Sequence, residues 1–154
     1  MIESIYFDSC ALNRLTDDLT QPRIRAEAES VAYALDELKA GRVEWLASTI
    51  LSLEVSRNPH VRHRNETIAL LNLATATVAP DRATAARAAA LQQVGFGPFD
   101  ALHIALAEHA NVQTFLTVDD RLLRNAARHL SGANLTLENP IDWRRRRQPW
   151  LIKR

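Results

Sequence analysis

The stretch SIYFDSCALNRL, residues 4–15, decides how this chain is read. Ser4–Phe7 is a short apolar and aromatic run of the kind that forms a buried strand. Asp8 follows it at once, and a helical pattern begins near Ala11. A solubilising charge could be placed almost anywhere else. Asp8 is therefore either a cap for the following helix or one member of a set, and the rest of the chain decides which.

Working outward, the same alternation recurs. Strand candidates are Ser4–Phe7, Val43–Ala47, Thr77–Ala79, Thr114–Thr117 and Leu135–Glu138. Helical patterns lie near Ala11–Leu19, Arg23–Ala40, Thr49–Arg57, His63–Ala74, Ala83–Val94, Pro98–His109 and Asp120–His129. Strands alternating with helices predict a mostly parallel sheet covered on both faces. Pro22 and Pro98 suit first helical turns, where a missing N–H costs nothing. Ser48 or Thr49 can cap the helix that contains Glu54.

The chain has 154 residues, enough for one domain with a real core. Its 47% hydrophobic and 24% charged residues are those of an ordinary globular protein. No apolar run approaches the roughly 20 residues of a membrane span, and no secretory signal is visible at the N-terminus. A single cysteine, Cys10, cannot form an internal disulfide, which suits a reducing, cytoplasmic setting. The net charge of +1 hides an asymmetry. The last twelve residues, WRRRRQPWLIKR, carry six positive charges and no negative ones, so residues 1–142 stand at −5. The expected organisation is one domain over residues 1–143 and a basic tail over 144–154. Arginine outnumbers lysine 17 to 2, which fits phosphate binding and equally fits a genome-wide base bias.

In open α/β sheets, ligand sites form at the carboxyl ends of the strands. Asp8 ends the first strand candidate, and Asp119 follows the strand-like TFLTVDD at the same kind of position. Glu54 lies one turn or so into the helix after the second strand, and Asp100 in the first turn after GFGP. Taken singly, each has a plain explanation as a cap, a dipole partner or a half-exposed helix residue. Taken together they repel one another and raise each other's pKa, and a divalent cation is the usual remedy. Oxygen-only donors select Mg²⁺ or Mn²⁺ over zinc.

YFDSCAL, LSLEVSR, GFGPFDALHIALA and FLTVDDRLL, in this order and spacing, resemble the acidic motifs of PIN domains, the metal-dependent nucleases that include the VapC toxins. The resemblance extends from Ile5 to about Trp143. It implies a three-layer α/β/α fold with a mostly parallel sheet of four or five strands. It also implies a pocket in which Asp8, Glu54, Asp100 and Asp119 are catalytic. By that resemblance Asp8, Asp100 and Asp119 would hold one or two Mg²⁺ or Mn²⁺ ions, with Glu54 and Asp120 as further candidates acting through water. Ser9, Asn13 and Thr117 are candidates to orient these carboxylates. The implied reaction is hydrolysis of RNA phosphodiester bonds by a metal-acidified water, with no covalent intermediate. The implied partners are an RNA substrate, a small antitoxin and a second copy of the chain, with no membrane. Where many relatives carry Asn two residues after the first Asp, this chain has Cys10, and Asn13 one turn on is the candidate replacement.

Other residues admit competing readings. His103, three residues after Asp100, shares its helical face, as in Glu-x-x-His metal motifs, or is a satisfied buried histidine. His60 and His63 flank Arg62 and Arg64 in NPHVRHRNE, a solvated basic loop able to meet RNA backbone. Arg144, Arg145, Arg146 and Arg147, between Trp143 and Trp150, fit phosphate contacts with base stacking, or equally a frayed basic terminus. Cys10 as a nucleophile lacks a nearby histidine in sequence. Three functions compete with the toxin ribonuclease: a housekeeping RNA-processing nuclease, a silent PIN-like binding module, and a phosphotransferase using Asp8 as nucleophile. The four retained acids argue against the silent module. Cys10, where a haloacid-dehalogenase-like enzyme has its second Asp, argues against the phosphotransferase.

Overall fold

A computed structural model describes residues 2–148. Its elements run β1 (Glu3–Phe7), α1 (Ser9–Asn13), α2 (Pro22–Lys39), β2 (Val43–Ser48), α3 (Thr49–Ser56), α4 (Val61–Leu71) and β3 (Ala76–Val78). They continue with α5 (Arg82–Gln93), α6 (Pro98–His109), β4 (Thr114–Leu116), α7 (Asp120–His129), β5 (Thr136–Glu138) and α8 (Pro140–Arg147). The five strands form one all-parallel sheet in the order β3-β2-β1-β4-β5. This is the expected three-layer α/β/α architecture. No helix among the described residues is long and apolar enough to cross a membrane.

Alternation along β1 explains the two layers. Ile5 and Phe7 point into a core with Val31 and Leu35 of α2, Leu51 of α3, and the fully buried Trp45 and Trp143. Tyr6 points to the other face and packs with Phe115, Ile104 and Ala101 of α6, Leu91 of α5 and Leu122 of α7. Burial on both faces is why the strands read as near-continuous apolar runs rather than as alternating ones.

Two elements differ from expectation. The helix foreseen over Ala11–Leu19 stops at Asn13. Beyond it, side chains compete for the backbone: the Thr16 hydroxyl donates to the Asn13 carbonyl, and Asp18 accepts the Thr20 N–H. At the other end, α8 is a helix absent from the expected elements. Asn139 caps it by accepting the Ile141 N–H, Pro140 occupies its first turn, and four arginines complement the dipole in its last. Trp143 anchors it, fully buried, with its indole N–H donating to Glu3 at 3.1 Å. Trp150 and the rest of the tail beyond Gln148 lie outside the described residues.

The strand order places β1 at the centre. From it the chain moves outward through β2 and β3, then crosses back to β4 and β5. The reversal opens a crevice between the carboxyl ends of β1 and β4, where such sheets bind ligands. Asp8 and Thr117 stand on its two sides.

Candidate metal centre

Asp8 is the most constrained of the acids. It leaves β1 as the cap of α1, with Oδ1 accepting the Ala11 N–H at 3.0 Å. Its Oδ2 accepts the Thr117 hydroxyl at 2.5 Å. The Thr117 oxygen in turn accepts the Asp119 N–H at 3.1 Å, so one hydroxyl joins the ends of β1 and β4. Asp8 is only 3% exposed. Burial raises its pKa to about 6, against the hydrogen bonds from Thr117 and Ala11, and Asp100 adds to the rise.

Glu54 projects from α3 and faces His103 of α6, with Oε1 3.1 Å from Nε2. Burial pushes its pKa up, but hydrogen bonds from His103 and from the Ser9 side chain and backbone outweigh that and hold it below the usual range. Ser9 thus serves Glu54. His103 is fully buried, and its Nδ1 lies 2.5 Å from the Tyr6 hydroxyl, itself 2.6 Å from Ser48 Oγ. Ser48 Oγ also caps α3 by accepting the Leu51 N–H at 3.0 Å. With an uncharged imidazole, donors and acceptors align in one direction. Ser48 donates to Tyr6, Tyr6 to Nδ1, and Nε2–H to the Glu54 carboxylate, which can only accept. His103 is therefore a satisfied core histidine that holds Glu54, not half of a metal motif with Asp100. Burial pushes the Tyr6 phenol well above its ordinary pKa, so it remains a donor.

Asp100 is half-buried in the first turn of α6. Burial raises its pKa first, and the charges of Asp119 and Glu54 raise it further. Among the described residues its carboxylate accepts no hydrogen bond. Asp119 caps α7, with Oδ1 accepting the N–H groups of Arg121 and Leu122 at 3.0 and 3.2 Å. Asp120 points elsewhere. Arg23 of α2 grips it with two hydrogen bonds of 2.8 and 2.6 Å, and that guanidinium holds its pKa low.

Cys10 reports the convergence. Partial burial, then the charges of Asp8, Asp119, Glu54 and Asp100 together, push its thiol up to about 12. A thiol surrounded in this way is no thiolate nucleophile at neutral pH. Asn13, at the last position of α1, makes no side-chain hydrogen bond to any of the four acids among the described residues. His60 and His63 stack with ring centroids 3.8 Å apart, and His60 Nδ1 accepts the His63 N–H as the cap of α4. Among the described residues no three His, Cys, Asp or Glu side chains form a ready-made metal cage. The donor set nonetheless fits a hard divalent cation. It consists of oxygens alone, two of its acids have raised pKa values, and Asp100 lacks any hydrogen-bond donor.

The arginines divide. Arg146 pairs with Glu138 at 3.0 Å and Glu3 at 3.6 Å, and Arg147 with Glu3 at 2.9 Å and Glu37 at 3.0 Å. Glu3 opens β1, at the end of the strand opposite Asp8. Arg144 lies over the Tyr33 ring, Arg62 pairs with Glu66, and Arg64 donates to the Asn58 carbonyl. Arg145 is exposed, 3.8 Å from Asp142. Sequence reading missed Tyr6 and Ser48 as supports of Glu54. A tyrosine inside an apolar strand carries no signal that its hydroxyl is used. It also missed a cavity of about 410 Å³ between α5, α6 and α7, whose wall includes Asp100 and Asp119.

No curated protein matches the chain. Among solved structures, it is similar to a chain of VapBC2 from Rickettsia felis bound to a DNA fragment from their promoter. The TM-score is 0.55 at 18% identity, covering 88% of this chain and 98% of that one, a likeness of fold. The PIN domain family model matches residues 5–128, a span that contains Asp8, Glu54, Asp100 and Asp119. The chain belongs to the PIN domain family.

Proposed function

We propose that this chain is a divalent-metal-dependent endoribonuclease. The observation that carries this reading is the group of four carboxylates at the sheet's switch point. Asp8 is fully buried with its pKa raised to about 6, and Asp100 is raised first by burial and then by its acidic neighbours. Desolvating like charges beside one another costs folding free energy, which a chain retains where a cation is to be held.

Asp8, Asp100 and Asp119 would hold Mg²⁺ or Mn²⁺, with Glu54 acting through water. When bound, the ion acidifies water and offsets charge on the phosphate oxygens. The chain's own residues do the rest. Thr117 fixes Asp8 and the Asp119 backbone in one register. Ser9 and His103 keep Glu54 ionised and aimed. Asp120 is committed to Arg23 and takes the role of a strut between α7 and α2. Arg62, Arg64, Arg144 and Arg145 would meet the RNA backbone, whereas Arg146 and Arg147 lock α8 to the sheet.

The resemblance of its acidic motifs to those of the VapC toxins extends the proposal to a cytoplasmic toxin role, with a small antitoxin as partner and a homodimer as the working form. A gene for a small DNA-binding protein immediately upstream supports the toxin role, and its absence favours housekeeping RNA processing. The nuclease reading is tested by incubating the protein with a mixed RNA pool and Mn²⁺, with and without chelator, beside Asp8→Asn and Asp100→Asn. The expected result is cleavage that needs metal and disappears in both variants. Cleavage that survives chelation or either substitution overturns the reading.

A further inference from the structure

The cavity beside the acids is unused by the chemistry described so far. Phe96 forms its buried floor, Asp100 and Asp119 form one wall, and Gln92, Arg121 and Asn125 surround the rest. Its volume of about 410 Å³ falls within the roughly 300–1,000 Å³ of small-ligand sites. Three features point to a ligand. The two carboxamides and the guanidinium make no side-chain hydrogen bond among the described residues, so their donors and acceptors are free to be used. The floor is aromatic and apolar. The wall is the metal centre itself, so whatever fills the cavity lies next to the reacting phosphate.

We infer that this cavity is a nucleobase subsite that reads one unpaired base adjacent to the cleaved bond. This rests on the nuclease reading above and adds to it a substrate form and a source of sequence preference. Carboxamides match the N6/N7 edge of adenine, and a guanidinium matches the O6/N7 edge of guanine. An unpaired pyrimidine offers a comparable pair on its Watson–Crick edge, N4–H and N3 of cytosine, so the lining recognises a base edge rather than one class of base. In A-form duplex the deep, narrow major groove hides those edges, so the base must be turned out of a loop or single strand. Gly95 shapes the mouth: at φ +104° the backbone turns from α5 into the Phe96 floor, a conformation that side chains other than glycine's rarely adopt. The subsite binds and selects, while bond cleavage remains with the carboxylates.

The test is cleavage of short randomised RNA oligonucleotides in Mn²⁺, with both new ends sequenced, for the wild type, Asn125→Ala and Gln92→Ala. Thermal melts confirm that the variants fold. The wild type is expected to prefer one base at one nucleotide flanking the cut by about tenfold in kcat/KM, the discrimination typical of a bidentate base contact. Asn125→Ala and Gln92→Ala should each reduce that preference severalfold while metal-dependent cutting continues. Cutting with no preference at any flanking position overturns the subsite and leaves the nuclease reading standing, as does a preference that both variants retain. Absence of any cleavage by the wild type overturns both.

Discussion

Replacing Asp8 with Asn should stabilise the protein at neutral pH while removing its activity. In the folded state the carboxyl has a pKa of about 6 against the ordinary 3.8, with burial the main cause. The folded chain therefore binds a proton that the unfolded chain does not between about pH 4 and pH 6, and stability falls as pH rises through that window. At pH 7 the buried charge costs about 3 kcal/mol, taking 1.36 kcal/mol per pKa unit. Asn keeps the acceptor for the Ala11 N–H, and its amide can donate to Thr117 in place of accepting. The Thr117 hydroxyl proton then loses its partner, at about 1 kcal/mol. The net gain is about 2 kcal/mol at pH 7, about 6 °C in melting temperature for a domain of this size. At pH 4 Asp8 is protonated in the fold and the gain is nearly gone. Urea unfolding of both proteins from pH 4 to 8, in chelator, measures this directly. A variant less stable than wild type at pH 7, or a difference that does not narrow towards pH 4, refutes the reasoning.

Tyr6→Phe keeps the ring packed on Phe115 but removes the hydroxyl between Ser48 and His103, leaving two buried polar groups short of a partner. Urea unfolding should show a loss of about 2–3 kcal/mol; a loss below about 0.5 kcal/mol contradicts the chain of hydrogen bonds to Glu54. Cys10 should alkylate with iodoacetamide at pH 7.5 at least about 30-fold more slowly than an unperturbed cysteine, and normally once urea unfolds the chain. Fast reaction in the folded state contradicts the convergence of acids upon it. Arg147→Ala breaks pairs with Glu3 and Glu37 and a cation–π contact of 4.9 Å with Trp143. It should cost about 1 kcal/mol of stability with RNA affinity unchanged by filter binding, whereas a large loss of affinity restores the arginine to the RNA surface.

The sheet was legible because parallel strands buried on both faces leave continuous apolar runs, and because each helix begins at a cap or proline. The acids were legible for a related reason: carboxylates at strand ends and first turns are countable without knowing strand order. Asp120 shows where such counting stops. Its partner, Arg23, is 97 residues away in sequence, and no local pattern connects them. Arg146 and Arg147 behave likewise, since Glu3 and Glu37 become their neighbours only when α8 docks beside α2 and β1. The α8 helix itself carried its signals in ENPIDWRRRR, which an eye drawn to the charge run reads as tail. The cavity at Gln92 and Asn125 had no signal, because two amides on separate helices become a site only through the turn at Gly95.

The central claim is that Asp8, Asp100 and Asp119 hold a divalent cation, and calorimetric titration of the chelator-treated protein with Mn²⁺ alone tests it without RNA. The expected result is saturable binding to the wild type, at least tenfold weaker in Asp100→Asn and in Asp8→Asn, and unchanged in Asp120→Asn. Equal Mn²⁺ affinity in the wild type and in the Asp8 and Asp100 variants, or binding that only the Asp120 substitution removes, contradicts it.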